Sequence, residues 1–308
     1  MLNDLGFILG TTLMYSTPLI YTALGGVMSE NSGVVNIGLE GMMTIGAFIG
    51  ATVGYYLGNP WIAFLCAGLA GGFFALLHAL ASVTFAADQV VSGVAINFLG
   101  PGVALFLSRI FFQGATDTKS IEFKIPRPLN GVFPRNSFLD QIFNQYATVY
   151  LAFVLVAIVW YLLYKTKLGL RIRSVGEHPK AADTLGISVY KIRYFAVIMS
   201  GIFAGFGGAA MSIAVVSNFR PTLISGQGFI ALAAMIFGNW KPQGAMFACL
   251  LFGAAQGLVI YLGGTSIAIS SQLLAMIPYL LTLIILMGFV GKSVAPAASG
   301  EAYEKDGN

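Results

Sequence analysis

The chain has 308 residues, 57% of them hydrophobic and only 9% charged, with a mean hydropathy of +0.83. Soluble domains carry about 25% charged residues, so this chain has too little charge to coat a water-facing surface, and lipid must be the solvent for most of its exterior. The net charge of +4 is no nucleic-acid signal, because the bases sit in connections between apolar spans, where membrane topology accounts for them.

A membrane helix needs about 20 apolar residues. By that measure the sequence predicts spans over 5–28, 37–58, 61–86, 90–112, 147–165, 194–217, 225–240, 243–263 and 272–291. The stretch 225–240 is short and can be re-entrant, so the expectation is an all-α, polytopic bundle of about 8–9 spans with broken or re-entrant helices. Residues 1–291 read as a single transmembrane domain and 292–308 as a cytoplasmic tail, frayed from Gly300 to Asn308. Gly58-Asn59-Pro60 and Lys241-Pro242-Gln243-Gly244 punctuate two gaps. The first apolar segment starts almost at once, lacks a basic flank and is too long for a cleaved secretory signal.

Polar residues inside such spans are costly and point to function. Glu40 is the sharpest, within Ser32-Gly33-Val34-Val35-Asn36-Ile37-Gly38-Leu39-Glu40-Gly41, a glycine-rich run between two spans that suits a broken helix. Asn36 and Glu40 are four apart and share a face once helical. They would bond substrate or hold a pathway helix, or Glu40 would cap a helix or pair with a base. His78 is alone in an apolar stretch and reads as a packing residue. Asp88 suits a helix start, and Asn97, two turns further on, needs either a neighbouring helix or a polar ligand. Asn36, Glu40 and Asn97 are the candidates for the substrate pathway.

Two connections are long. Residues 113–146 are mixed in charge and contain Pro126, Pro128 and Pro134. Residues 165–193 hold Lys165, Lys167, Arg171, Arg173, Lys180, Lys191 and Arg193 against Glu177 and Asp183. Bases concentrate in cytoplasmic loops, so 166–193 is expected inside and 113–146 outside, with the N-terminus outside and the tail inside. Glycines recur four apart at Gly46, Gly50, Gly54 and Gly58, and at Gly201 and Gly205, which lets helix backbones approach closely.

Enzyme chemistry finds no foothold. The histidines His78 and His178 and the cysteines Cys66 and Cys249 supply no metal-ligand cluster, and no cofactor is expected. Gly291-Lys292-Ser293 imitates the end of a phosphate loop, but position 286 is leucine and a membrane span precedes it. If ATP drives this protein, another subunit must bind it. With Glu40 as the one well-placed intramembrane acid, an ion-coupled carrier working alone fits less well than energy input from a partner.

The basic loop runs Lys167-Leu168-Gly169-Leu170-Arg171-Ile172-Arg173-Ser174-Val175-Gly176-Glu177-His178-Pro179-Lys180-Ala181-Ala182-Asp183-Thr184-Leu185-Gly186-Ile187. It predicts a short helix from Lys180 to Leu185, with Pro179 in the first turn, a smooth surface from Ala181 and Ala182, and Gly186 as its stop. With Ser200-Gly201-Ile202-Phe203-Ala204-Gly205-Phe206-Gly207-Gly208 after it, this segment resembles the permeases of ABC importers for branched-chain amino acids, ribose-type sugars and nucleosides. Asn36-Ile37-Gly38-Leu39-Glu40-Gly41 and Ala233-Ala234-Met235-Ile236-Phe237-Gly238-Asn239-Trp240-Lys241-Pro242 resemble the same group, most of all its nucleoside permeases.

The resemblance covers roughly residues 7 to 290. It implies that Gly176, Glu177, Pro179, Ala181, Ala182, Gly186 and Ile187 form the loop that docks onto an ATP-binding subunit. It further implies a tandem ATPase, a second and different permease, a substrate-binding lipoprotein or periplasmic protein, and a nucleoside as cargo moved by alternating access across the cell membrane. A simple sugar such as ribose is the alternative cargo, and a stand-alone secondary carrier the alternative machine.

Overall fold

The computed structural model describes residues 2–264 and 293–304, with Leu273, Met276, Ile277, Leu280 and Ile284 between them. Every regular element among the described residues is helical. Helix α1 (Leu2–Glu30) is the axis of the bundle: every residue from Ser16 to Glu30 is buried. Helices α2 (Leu39–Leu57), α3 (Pro60–Ala79) and α4 (Gln89–Phe111) follow, then the short α5 (Phe138–Phe143) and α6 (Ala147–Lys165). The basic segment supplies α7 (Lys167–Glu177) and α8 (Pro179–Thr184), and α9 (Val189–Ala209), α10 (Gln227–Phe237) and α11 (Pro242–Gly263) complete the order. Helices α9 and α11 pack along α1, and α9 also packs on α2 and α3. Helix α4 is peripheral and buries one stripe, Gly93, Ile96, Gly100, Ala104 and Ser108. The rest of α4 is mostly exposed apolar side chains, as lipid or a partner surface requires.

The punctuation seen in the sequence sets the boundaries. Gly58 adopts φ +62° and its N–H donates to the Gly54 carbonyl, which stops α2. The Asn59 side chain then accepts from the N–H groups of Trp61 and Ile62 at 3.0 and 3.2 Å, with Pro60 as the first residue of α3. Asp88 caps α4 by accepting from Val91 N–H at 2.9 Å. Helices α3 and α9 both run on into π-helical turns, Leu80–Thr84 and Ala210–Val215. The glycines act as backbone contact points. A Cβ on Gly208 would stand 1.9 Å from the Met43 carbonyl oxygen, and one on Gly205 2.3 Å from that of Ala67, so α9 lies backbone to backbone on α2 and α3.

Among the described residues six helices are long and apolar enough to cross a membrane: α1, α3 with its π turn, α4, α6, α9 with its π turn, and α11. Helix α2 begins at Leu39, after a non-helical run, and α10 has only 11 residues, so these two expected spans are interrupted ones. Of the expected crossing at 272–291, only Leu273, Met276, Ile277, Leu280 and Ile284 are described, each of them helical, and the rest lies outside the described residues. Two sequence expectations need correction. The span predicted to start at 194 starts at Val189, because Ser188 opens the helix and Lys191 and Arg193 belong to its first turns. The tail from Gly300 to Glu304, expected to fray, packs against the bundle through hydrogen bonds and Tyr303; residues 305–308 lie outside the described ones.

Candidate functional site

Two places gather the polar residues. The first is a junction inside the bundle where the two interrupted spans meet. The α1–α2 connection, Asn31 to Gly38, is non-helical yet almost wholly buried, so each of its polar groups needs a partner. Asn97 on α4 clamps the start of α2: its Oδ1 accepts from Gly41 N–H at 2.8 Å and its Nδ2 donates to the Ile37 carbonyl at 2.9 Å. Asn36 is 0% exposed and donates to Ser200 Oγ on α9 at 2.9 Å, while its Oδ1 has no hydrogen-bond partner among the described residues. His78 joins α3 to this run through Ser92 Oγ at 2.9 Å and the Val35 carbonyl at 3.1 Å. It is a satisfied packing residue, as its isolation suggests.

Glu40 lies in the first turn of α2 and reaches across to α10. Its Oε1 accepts from Gly226 N–H and its Oε2 from Gly228 N–H, both at 2.6 Å. Both carboxylate oxygens are therefore held by main-chain donors at the N-terminus of a broken span, where the helix dipole favours a negative charge. This is the geometry of a helix cap, one of the roles anticipated for Glu40. Gly226 takes φ +90° to aim these N–H groups.

The second place is the elbow formed by α7 and α8. Thr166 caps α7 through Gly169 N–H at 3.1 Å, and Gly169 lets that helix fold back onto α6, its notional Cβ only 2.0 Å from the Leu162 carbonyl. Arg173 donates to the Leu163 carbonyl at 3.0 Å and lies over the Tyr164 ring. Helix α8 starts with Pro179 and ends before Gly186, whose φ is +80°. Lys180, Ala181, Thr184, Leu185 and Gly186 are exposed at the tip, with Leu185 81% exposed. Ala182 departs from the expected smooth outer surface: it is buried with Val175, Val189 and Tyr303 and forms the hinge-side packing of α8. Gly176 is buried too, with a notional Cβ 2.2 Å from the Asn31 carbonyl.

The elbow and the junction are tied together by residues to which the sequence gave no such role. Arg193, 1% exposed, donates from Nη1 to the Glu301 carbonyl at 2.9 Å. Its Nε and Nη2 have no hydrogen-bond partner among the described residues. Ala298 N–H donates to the Gly176 carbonyl at 2.9 Å and Gly300 N–H to that of Gly33 at 3.2 Å. Gln89 bonds both sides, accepting from Val35 N–H at 2.7 Å and donating to the Glu301 carbonyl at 3.3 Å. Trp240 Nε1 donates to Glu30 at 2.5 Å, fixing the end of α10 to the end of α1. The signal for Arg193 was its place five residues after Ser188, inside a helical run; counting it as a loop base hid it.

Asn36, Glu40 and Asn97 thus come together around the start of α2, and Gly176 to Ile187 come together in the elbow. Among the described residues no group of His, Cys, Asp and Glu could hold a metal ion.

Residues 8–287 match the family described as "Branched-chain amino acid transport system / permease component". The guanosine ABC transporter permease protein NupQ of Bacillus subtilis is 47% identical over 98% of this chain and 97% of its own. The nucleoside ABC transporter permease protein NupC of Lactococcus lactis is 44% identical over 98% of each. A putative glucose ABC transporter permease protein of Haloferax volcanii is 32% identical over 97% of this chain and 98% of its own. This chain, a multi-pass membrane protein of apolar helices, belongs to the permease family of ABC transporters for branched-chain amino acids and related solutes.

Proposed function

We propose that the chain is one permease subunit of an ATP-driven importer of nucleosides. The observation that carries this is the similarity, at 44–47% identity along nearly the whole length, to permeases named for guanosine and nucleosides. The sugar reading draws on lower identities, 32% to a putative glucose permease and 26% to a glucose permease of the same organism. A second, different permease completes the pathway. Support comes from the two organisms above, each of which has a second nucleoside or guanosine permease protein 26% identical to this chain.

ATP binding and hydrolysis belong to a separate, tandem ATPase, and a substrate-binding protein delivers cargo from the other side. The ATPase docks on Gly176–Ile187 from the cytoplasm. The exposed tip of α8, with Leu185 and Gly186 outermost, suits that role, because a rigid knuckle braced on buried Ala182 transmits a push into α9. Residues 113–146 then face outside and 293–304 inside. The transmembrane domain runs to 291.

Uptake of radiolabelled uridine and ribose by cells expressing the chain with its neighbouring transporter subunits tests the reading. Uridine entry competed by unlabelled nucleosides, with ribose excluded, is the expected result. Ribose entry without uridine entry would overturn the cargo, and uptake that needs no ATPase subunit would overturn the machine.

A further inference from the structure

With Asn36 buried and Asn97 occupied by the α2 clamp, the solute needs another wall, and residues 216–226 supply one. This non-helical segment follows the π turn of α9. One end is tied to the loop 113–146: Phe219 N–H donates to Thr118 Oγ1 at 2.8 Å, and Ile121 N–H to the Ser217 carbonyl at 2.8 Å. The other end is tied to Glu40 through Gly226 and Gly228. Glu40 adjoins Gly41, which is clamped by Asn97, and Asn97 stands two turns into α4, roughly 12 Å along it at 1.5 Å per residue. The segment therefore descends from one face of the membrane to near its middle. On the way it exposes Arg220, Pro221, Thr222 and Ser225, three of the four polar.

Irregular backbone does not face lipid at this depth, because its unpaired N–H and C=O groups would go unsolvated; it is tolerated against protein or a water-filled cavity. The exposed side chains are those water would demand. The polar character continues onto the neighbouring helices. Half-buried Gln227 on α10, Gln256 on α11 and Tyr15 on α1 line a cleft of about 20 Å³ together with Leu19, Ile230, Phe252 and Gly253, and Arg220 is within electrostatic reach of Tyr15. That cleft has room for about one water molecule, so a larger solute does not pass between these helices and must travel along their outer edge.

We propose that the face formed by Arg220, Thr222, Ser225, Gln227, Gln256 and Tyr15 is this subunit's wall of the translocation cavity, and that Gln227 and Gln256 determine specificity by bonding the heterocyclic edge of a nucleoside. This rests on the nucleoside reading above. A carboxamide offers a donor and an acceptor side by side, the complement of a purine or pyrimidine edge, whereas hydroxyls alone fit any sugar. The glutamines are uncharged, which suits a neutral solute that must bind weakly enough to leave. Glu40 takes no direct part in binding; it positions Gln227 by holding the two N–H groups on either side of it.

The test uses the complete transporter with Cys66→Ala and Cys249→Ala, carrying Thr222→Cys, Ser225→Cys or Gln256→Cys. A membrane-impermeant methanethiosulfonate is the probe. Leu69→Cys, at a 69% exposed position on the apolar face of α3, is the lipid-facing control. The wall cysteines are expected to react at least tenfold faster than the control, and saturating guanosine to slow them severalfold. Reaction as slow as at Leu69→Cys, in a transporter that still imports nucleosides, would overturn the wall and leave the nucleoside reading standing.

Protection by a simple sugar and not by guanosine would keep the wall and overturn the nucleoside reading. Gln227→Leu and Gln256→Leu add a second measurement. Each is expected to raise KM for guanosine about tenfold in a transporter that still assembles, with Gln227→Asn recovering part of it. An unchanged KM in both leucine variants would overturn the specificity role.

Discussion

The junction and the tail contact beside it solve the same problem with opposite ions. At the junction an anion, Glu40, is solvated by two main-chain N–H groups at the start of α10. At the tail contact a buried cation, Arg193 of α9, is solvated by a main-chain carbonyl of the tail. The difference lies in completeness. Both Glu40 oxygens are held at 2.6 Å, whereas only one Arg193 nitrogen has a hydrogen-bond partner among the described residues. A buried charge bonded through both its oxygens is held in place, whereas two Arg193 donors, unpartnered among the described residues, can bond in a rearranged state. The junction is thus the fixed point where α1, α2 and α10 meet, and the tail contact lies between it and the elbow proposed above to take the push of an ATPase.

The largest expected effect tests the fixed point. Glu40→Leu strands two buried donors at roughly 1–3 kcal/mol each, so the purified protein should melt far lower or fail to accumulate. Glu40→Gln keeps one acceptor and should lose about half as much stability. Thermal melting in detergent reads both, and equal behaviour of the two variants would contradict the two-bond account. Next comes Gly208→Val, which drives side-chain atoms into the Met43 carbonyl; overpacking of this kind costs about 1–3 kcal/mol. The same assay reads it, and a melting point equal to the parent's would show that α9 and α2 separate easily there.

At the tail contact, Arg193→Met removes a charged hydrogen bond worth about 1.5–3 kcal/mol in a fully formed pair. Here the lower end is expected, and the loss should be local. Carboxypeptidase should trim past Tyr303 faster while the global melting point shifts little, and a cooperative drop in melting would place Arg193 with the fixed region. The smallest stability effect is expected for Gly186→Asp, because the site is exposed and aspartate tolerates positive φ better than most residues. Its melting point should move by about 1 kcal/mol or less in equivalent stability, even though uptake is expected to be lost.

Much of this was legible before any coordinates. Gly58-Asn59-Pro60 announced a helix stop and start because each residue type has one local use there, and Pro179 with Gly186 bracketed α8 for the same reason. Glu40 was legible as a residue needing partners, since an acid among apolar residues is costly whatever the fold. Its partners were not legible: Gly226 and Gly228 lie more than 180 residues away and contribute only backbone, which leaves no signature in side chains. Asn97 was open between ligand and neighbour, and only the packing of α4 on α2 decides for the neighbour. Arg193 and the tail were misread because composition cannot tell a charged residue in a loop from one buried by a segment 108 residues further along.

In the mechanism proposed above, ATP hydrolysed on a separate subunit drives nucleoside transport through the α7–α8 elbow. Guanosine uptake into proteoliposomes holding the complete transporter, with the parent chain or with Gly186→Asp, puts this to the test when the ATPase retained by each preparation is also quantified. ATP-dependent uptake is expected of the parent. For the variant, uptake should be lost with a nearly unchanged melting point and a reduced share of bound ATPase. Equal uptake by both, or uptake by the parent that persists without ATP, would contradict the mechanism.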